Sequence, residues 1–99
     1  MAAWAYILKC ADGSYYVGCT TEIDQRLGQH QDGTFGGYTA SRRPVEMVWA
    51  EEFPTVDQAI TVERQLKGWS RAKKEALIRG DFDGLPELSG SRFRRDRKL

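Results

Sequence analysis

The sequence predicts an α+β domain of the order β-β-α-β-α-α, with helices flanking a three-stranded antiparallel sheet. Three observations lead to this fold class. Residues 4–10 and 15–19 are short segments rich in aromatic and branched side chains, and a glycine-containing turn between them indicates a β-hairpin. A third segment of this kind spans residues 45–53. Helical start and stop signals occupy the stretches before and after the third segment.

The register of the hairpin depends on its turn. A three-residue Ala-Asp-Gly loop, with Gly13 in the left-handed conformation, places Tyr6 opposite Gly18. Tyr6 and Tyr16 then project from the same face of the sheet, because side chains alternate along a strand. A two-residue turn would shift the register by one position and separate the two tyrosines.

The first helix and the loop after it follow the hairpin. We expect this helix to begin after residues 20–21, with Asp24 in its first turn, and to stop at residues 32–33. Residues 32–44 have the composition of a loop that three glycines hold open and Pro44 closes.

Capping residues set the bounds of the last two helices. In the second helix, Gln58 completes a capping box and Gly68 marks the end. Ser70 caps a third, basic helix that ends at Gly80. We therefore expect one domain over residues 1–80, followed by a basic and loosely ordered tail over residues 81–99.

The composition indicates one soluble domain. The 99 residues are 40% hydrophobic and 29% charged. No apolar run approaches the ~20 residues that cross a bilayer, and nothing resembles a signal peptide. Two cysteines, Cys10 and Cys19, are too few for a disulfide framework. We expect them to be small buried side chains in a reduced, cytoplasmic protein.

Charge is distributed unevenly along the chain. Residues 1–66 contain five Lys or Arg and nine Asp or Glu, whereas residues 67–99 contain ten and five. Such a basic end is able to bind phosphates, although a run of charge is often only a solvated face. The basic residues are Lys67, Arg71, Lys73, Lys74, Arg79, Arg92, Arg94, Arg95, Arg97 and Lys98.

Polar residues interrupt the apolar stripes of two helices. The stripe of the second helix is Val56, Ala59, Ile60, Glu63 and Leu66. A carboxylate near its middle is costly unless it is paired, so Glu63 is either a structural partner of a cation such as Arg26 or a metal ligand at the edge of a cleft. In the first helix, Arg26 and His30 lie one turn apart and share or border the apolar face. A structural role for this histidine is the alternative.

These residues together resemble the GIY-YIG nuclease family. The tripeptide at residues 4–6 stands where the first signature belongs, and the one at residues 16–18 stands where the second belongs. Arg26, His30 and Glu63 follow in the order and spacing of the family. The chain is most similar to small stand-alone bacterial members, and it is also similar to the N-terminal cutting domain found in excinucleases.

The resemblance implies a role for each residue. Glu63 is expected to bind one Mg²⁺ or Mn²⁺, which polarises the scissile phosphate and stabilises the leaving oxygen. Tyr6 is expected to help activate the attacking water, while Tyr16 and His30 position it or share its proton. Because a free tyrosine has a pKa of about 10, a base role for Tyr6 requires a lowered pKa. Arg26 is expected to hold the phosphate.

Two features depart from the family pattern. Trp4 and Ala5 replace the Gly and Ile of the first signature. The chain has no Asn, which larger relatives often place on a following helix, and Glu75 lies in that region. Gly18 of the second signature is expected to be structural, letting backbone and substrate approach closely.

The resemblance predicts a metal-dependent nuclease that hydrolyses phosphodiester bonds in DNA, with repair or recombination as its setting. The alternatives are a nucleic-acid-binding module with little or no cutting activity and a scaffold that inherits the fold. We expect a monomer that binds nucleic acid with weak sequence specificity and binds no membrane. The expected phosphate contacts are Arg42, Arg43, Lys67, Arg71, Lys73 and Lys74, with Tyr38 available for stacking.

Overall fold

The fold is taken from a computed structural model, which describes residues 1–34 and 36–85. Three strands form one antiparallel sheet of order β2-β1-β3. The strands are β1 (Ala3–Lys9), β2 (Tyr15–Thr20) and β3 (Glu46–Phe53). The helices are α1 (Ile23–Asp32), α2 (Gly37–Ala40), α3 (Val56–Lys67) and α4 (Arg71–Arg79). The predicted fold class is confirmed, with α2 as an additional short element.

The hairpin of β1 and β2 has the register that a three-residue loop requires. The Cys10 amide donates to the Ser14 carbonyl, and Gly13 has φ +86°. Tyr6 therefore pairs with Gly18 in the ladder. A two-residue turn would shift this pairing by one residue, so the observed register excludes that alternative.

Each face of the sheet has its own apolar core. Ala5, Ile7 and Val17 pack with α3 and α4 on one face. On the other face, Tyr6 and Leu8 belong to a second cluster, which also contains Cys10, Val45, Tyr16, Ile23, Leu27, Met47 and Ala50. Helices thus cover both faces. Arg26 and His30 of α1 approach the sheet from one side, and Glu63 of α3 approaches it from the other.

Side-chain caps mark the starts of α3 and α4. Thr55 accepts a hydrogen bond from the Gln58 amide at the start of α3, and Ser70 accepts one from the Lys73 amide at the start of α4. α1 begins at Ile23 without a side-chain cap, and the Glu22 amide before it donates to the Thr20 hydroxyl.

The loop after α1 contains a helical turn that the sequence did not predict. Gly33 ends α1 with φ +81°, and α2 follows over four residues. Gly36 and Gly37 enter α2 with φ +75° and +64°, a conformation that L-residues with side chains rarely adopt. The glycines that indicated an open loop therefore serve to redirect the chain into α2.

The chain after α4 continues along the core. The Asp81 amide donates to the Ala76 carbonyl, Phe82 packs against the core formed with α3 and α4, and Leu85 is buried. The remainder of the predicted tail, including its basic residues from Arg92 onward, lies outside the described residues. Within the described part of the chain, no helix is long and apolar enough to span a bilayer.

Candidate functional site

An aromatic cluster forms on the face of the sheet that α1 and α2 cover. The ring centroids of Tyr6 and Tyr16 are 6.5 Å apart. The His30 ring lies 5.9 Å from that of Tyr6 and 5.2 Å from that of Tyr16. Tyr6 and Tyr16 project from the same face of the sheet, and His30 lies on the face of α1 that covers them. Three of the predicted site residues therefore come together.

A chain of hydrogen bonds runs inward from this cluster. The Tyr6 hydroxyl and His30 Nε2 are 3.0 Å apart, and His30 Nδ1 lies 2.7 Å from the Thr39 hydroxyl. Tyr6 and His30 have no exposed surface and Thr39 has 1%. Both ring nitrogens of the imidazole are thus engaged by hydroxyl groups in the interior.

Burial sets the protonation of this chain. It raises the pKa of Tyr6 to about 12, an effect that Tyr16 increases and Arg26 opposes. Burial also lowers the pKa of His30, and the charge of Arg26 lowers it further. The lowered tyrosine pKa that a preformed base requires is therefore absent: Tyr6 is a neutral phenol beside a neutral imidazole at pH 7.

Gly18 leaves room for the Tyr6 side chain. A Cβ atom on Gly18 would lie 2.6 Å from Tyr6 Cζ and 3.1 Å from Tyr16 Cε2. Real Cβ atoms essentially never approach another heavy atom within 3.0 Å. Residue 18 therefore lacks a side chain because the phenol of Tyr6, on the neighbouring strand, occupies that space.

Arg26 extends the site toward solvent. It is half-buried on α1, and its guanidinium opposes the rise in the pKa of Tyr6 through its charge and its ability to donate a hydrogen bond to the phenol. It also lines a polar cavity of about 120 Å³ at the start of α1. The cavity is lined by Thr20, Thr21, Glu22, Gln25, Arg26 and Gln29. A group the size of a phosphate is able to reach the guanidinium from this side.

Glu63 lies at the edge of its stripe and not at the middle, which corrects the prediction from helical periodicity. The fully buried residues of α3 are Ala59, Val62 and Leu66. Successive helical residues are rotated by about 100°, so the centre of the face formed by these three residues lies about 60° around the helix from Glu63. The Glu63 side chain retains 18% of its exposure. It is available to solvent at the rim of the sheet.

The surroundings of Glu63 connect it to the edge strand β2. Its carboxylate forms an ion pair with Lys67 at 3.1 Å, one turn further along α3. After burial, the main effect raising the pKa of the Cys19 thiol is the nearby Glu63 charge. Burial raises the pKa of Tyr16 as well, with Lys67 opposing the shift and Glu63 adding to it. Tyr16 therefore lies within the field of charges from both faces of the sheet.

The sequence matches the family described as the GIY-YIG catalytic domain over residues 2–76, which is most of the chain. The chain belongs to the GIY-YIG family. The five residues that suggested this family all fall within the matched range.

Relatives of this GIY-YIG domain share its length and fold. It is 45% identical over 73 residues to a UPF0213 protein of Bacillus pumilus, covering 74% of each chain. It is 38% identical over 92 residues to the UPF0213 protein BH0048 of Halalkalibacterium halodurans, covering 90% of this chain and 98% of the relative. The solution NMR structure of the protein EF2693 from E. faecalis matches with a TM-score of 0.57 at 40% identity, covering 81% of this chain and 85% of that one.

The GIY-YIG domain offers few ligands for a metal ion. In residues 1–34 and 36–85, no three His, Cys, Asp or Glu side chains come together. Glu63 is the carboxylate whose charge reaches Tyr16. Mg²⁺ commonly keeps several waters and takes one or two carboxylates together with substrate phosphates. The donor set fits a hydrated ion that substrate completes, and it does not fit an ion enclosed by protein ligands.

The arginines predicted to contact phosphates after α2 have partners within the domain. Arg42 pairs with Asp12 at 3.1 Å, donates to the Tyr38 carbonyl and lies 3.8 Å from the centre of the Tyr38 ring. Arg43 donates to the Ala40 carbonyl. These side chains hold the loop around α2, and Arg42 still has a third of its side-chain surface exposed.

Tyr38 forms the outer layer of the aromatic cluster. It is 41% exposed, and its ring stacks on that of Tyr16 with centroids 6.1 Å apart. The predicted stacking residue is therefore joined directly to the candidate site.

The basic residues of α4 differ in their surroundings. Arg71 pairs with Glu75 and lies 4.7 Å from the Tyr15 ring centre, and the Tyr15 hydroxyl donates to Glu75. Glu75, which occupies the region of the family's Asn, thus joins α4 to β2. Lys73 and Lys74 are exposed and half-buried, respectively.

Thr39 is the site residue that sequence reasoning missed. Its hydroxyl has no charge and no titration near neutral pH, so it does not stand out as a charged residue in an apolar stripe does. The available signal was His30 itself: a buried imidazole requires partners for both nitrogens, and Thr39 is a hydroxyl in the loop that follows α1.

Proposed function

We propose that this GIY-YIG domain is a metal-dependent nuclease that hydrolyses phosphodiester bonds in DNA. The observation that carries the proposal is the buried hydrogen bond between Tyr6 and His30, with the Arg26 guanidinium beside the phenol. Burying a phenol and an imidazole is costly for a small core that apolar residues fill more cheaply. A phenol, an imidazole and a guanidinium together are able to move a proton beside a bound phosphate.

The pKa values favour a relay over a preformed base. Tyr6 begins as a neutral phenol with no exposed surface, so the proposed relay requires that bound DNA bring the attacking water against its oxygen. That oxygen then accepts a proton from the water as its own proton passes to His30 Nε2. His30 then carries the charge transiently, and Tyr6 never becomes a free phenolate. Arg26 binds the phosphate oxygens and stabilises the negative charge that develops on them.

Glu63 is the residue that would hold one Mg²⁺ or Mn²⁺, with waters and a substrate phosphate as the other ligands. When bound, the ion supplies charge stabilisation to the scissile phosphate and the leaving oxygen. Lys67, now paired with Glu63, is mostly exposed, and such a surface pair is weak enough to exchange. Once released, the Lys67 ammonium is free to contact a phosphate.

The proposed path of DNA follows the edge strand β2. Lys67 and Arg71 lie on one side of this strand, and Tyr38 and Arg42 lie on the other. Lys74 shares the side of α4 that carries Arg71, while Lys73 is rotated about 160° from it. Arg43 supports the loop. Contacts of this kind recognise the backbone, so the proposed binding is insensitive to sequence.

A cleavage assay tests the proposal. Labelled single-stranded, nicked and branched DNA would be incubated with the full chain and Mg²⁺, Mn²⁺ or EDTA, beside the Tyr6→Phe variant. We expect cleavage that needs the metal and that Tyr6→Phe lowers by about 100-fold or more, because the phenolic relay is lost. Preference for branched or nicked DNA would support a role in repair or recombination. Cleavage that Tyr6→Phe leaves unchanged would contradict the proposal.

A non-cutting nucleic-acid-binding module is the second candidate. Two observations favour it: no cluster of acidic ligands forms within the described residues, and the pKa of Tyr6 is raised. Tight, salt-sensitive DNA binding with no metal-dependent cleavage of any substrate would establish this alternative.

A further inference from the structure

We propose that Thr39 is a positioning residue that holds His30 in the tautomer with its proton on Nδ1, leaving Nε2 to face Tyr6 as an acceptor. The tautomer is inferred from the hydrogen-bonding roles open to Tyr6, Arg26 and Thr39 at the distances of the described residues. Its effect on cleavage rests on the proposed function.

The hydrogen-bond chain allows two proton arrangements. A neutral imidazole has one N–H donor and one acceptor nitrogen, and each hydroxyl is able to donate or accept. In the first arrangement, Tyr6 donates to His30 Nε2 and His30 Nδ1–H donates to Thr39. In the second, Thr39 donates to Nδ1 and Nε2–H donates to the Tyr6 oxygen.

Arg26 distinguishes between them. A guanidinium only donates hydrogen bonds, so the Tyr6 oxygen serves as the acceptor in their interaction. In the first arrangement this oxygen accepts from Arg26 and donates its own proton to His30. In the second it accepts from two donors, and its own proton must turn away from both. Each arrangement leaves one hydroxyl proton outside the chain of hydrogen bonds, that of Thr39 in the first and that of Tyr6 in the second. A phenol is a stronger acid than an aliphatic hydroxyl, and the positive charge of Arg26 makes it a better donor still, so Tyr6 is the group that donates to the imidazole in the first arrangement, which we infer.

Packing keeps Thr39 in place. It is 1% exposed, and its hydroxyl lies 2.7 Å from Nδ1. Its carbonyl accepts from the Arg42 amide, which closes the turn after α2. Among the described residues, every buried side-chain polar atom has a hydrogen-bond partner. The Thr39 hydroxyl oxygen is therefore held at a fixed point beside Nδ1, and the ring cannot turn over without breaking this bond.

The single histidine of the chain makes the tautomer directly measurable. In the ¹⁵N spectrum of the full-length protein at neutral pH, we expect Nδ1 to resonate as a protonated nitrogen and Nε2 as an unprotonated one. Thr39→Val keeps the shape and removes the acceptor, so the Nε2–H form should gain population. Thr39→Ser keeps the hydroxyl and should retain the wild-type pattern.

Cleavage supplies the second readout. Thr39→Val should lower the cleavage rate by roughly 10-fold to 100-fold, the range typical when an outer partner of a functional histidine is removed. DNA affinity should stay unchanged, and Thr39→Ser should recover most of the rate. A merely structural Thr39 would instead lower melting temperature, affinity and rate together in Thr39→Val.

The two readouts separate the two proposals. A wild-type spectrum with the proton on Nε2, or a Thr39→Val spectrum identical to that of the wild type, overturns the role of Thr39; the wild-type measurement decides this even if Thr39→Val does not fold. The expected tautomers in a protein that cuts no DNA support Thr39 and reject the nuclease. A shifted tautomer with an unchanged cleavage rate overturns the positioning role.

Discussion

The Tyr6 hydroxyl oxygen lies 2.5 Å from the position that a Cβ atom of residue 18 would occupy. Tyr6 and Gly18 are also paired across the hairpin ladder. Gly18 on the edge strand thus leaves open the space that the large side chain of Tyr6 on the central strand occupies. This pairing places the phenol beneath α1, where His30 and Arg26 reach it.

Gly18→Ala tests this complementarity. The new methyl group overlaps the Tyr6 phenol, so we expect the free energy of unfolding to fall by about 1–3 kcal/mol, as in other overpacked cores. The Tyr6–His30 hydrogen bond should weaken with it, and cleavage should fall by more than the loss of folded protein explains. Urea denaturation and cleavage rates at full folding measure the two effects.

Gly28→Ala is the matched control. Gly28 lies in α1, and a Cβ there meets no atom within 4 Å. Alanine is favoured over glycine in a helix by about 1 kcal/mol, so this variant should be neutral or more stable. Equal destabilisation by both substitutions would show that the space beside Tyr6 is not the cause.

Glu63→Gln separates a metal ligand from a structural partner. The amide keeps the shape of the side chain, and the pair with the mostly exposed Lys67 contributes less than about 1 kcal/mol, so the melting temperature should change little. Metal-dependent cleavage should fall by about 100-fold or more, because a neutral amide is a poor Mg²⁺ ligand. DNA affinity without metal should hold or rise slightly.

Glu52→Gln provides the same chemical change on the opposite edge strand β3, where Glu52 is exposed. It should leave stability, affinity and cleavage unchanged. A large loss of stability in Glu63→Gln with cleavage preserved would refute the assignment of Glu63 as the ligand.

The proposed DNA surface predicts unequal effects along α4. Arg71→Ala and Lys74→Ala should each weaken binding similarly for all sequences and reduce the slope of log Kd against log salt by about 0.7–0.9. Arg79→Ala removes an equal charge about 12 Å further along the helix and should change neither quantity. Lys73→Ala should have a smaller effect than either Arg71→Ala or Lys74→Ala, because Lys73 is rotated about 160° around the helix from Arg71. Fluorescence anisotropy over a salt series distinguishes these outcomes, and equal slopes for all four variants would reject the surface.

His30 predicts acid sensitivity of the fold. Its pKa is lowered by burial and by Arg26, whereas the unfolded chain takes up the proton near pH 6.5. Stability is therefore present above this pH and is lost as the pH falls below it, by at most about 1.4 kcal/mol per pH unit. The surrounding groups, Tyr6 and Tyr16 from the sheet and Thr39 from α2, remain neutral over this range.

Denaturation between pH 7 and 5 would measure this loss, with His30→Gln as the reference. The variant removes the titrating group, so its stability should vary less with pH even if it is lower throughout. Parallel curves for the two proteins would show that His30 is not kept neutral by the fold.

Much of the scaffold is predictable because it depends on neighbours in sequence. The turn length alone determines that Tyr6 and Tyr16 share a face, and Thr55 and Ser70 cap their helices through bonds three residues away. These signals are local, and the structure confirms the order of strands and long helices that they predicted.

The remaining features depend on contacts between distant segments. Apolar periodicity in α3 cannot distinguish a buried face that includes Glu63 from one that includes Val62, because both choices leave Ala59 and Leu66 inside. The turn α2 forms where His30 needs a partner, and a glycine-rich stretch carries no helical period. Packing across the sheet, which no sequence window contains, also raises the pKa of Tyr6.

The four-residue turn α2 carries Tyr38 on its exposed side and Thr39 on its buried side. The two residues share one short stretch of backbone, so a polynucleotide that shifts this backbone at Tyr38 would also move the proposed acceptor of the imidazole proton. Contact at the surface and the proton arrangement in the interior would then change together. The nitrogen resonances of His30, a residue with no exposed surface, should therefore report when the outer ring of Tyr38 is occupied.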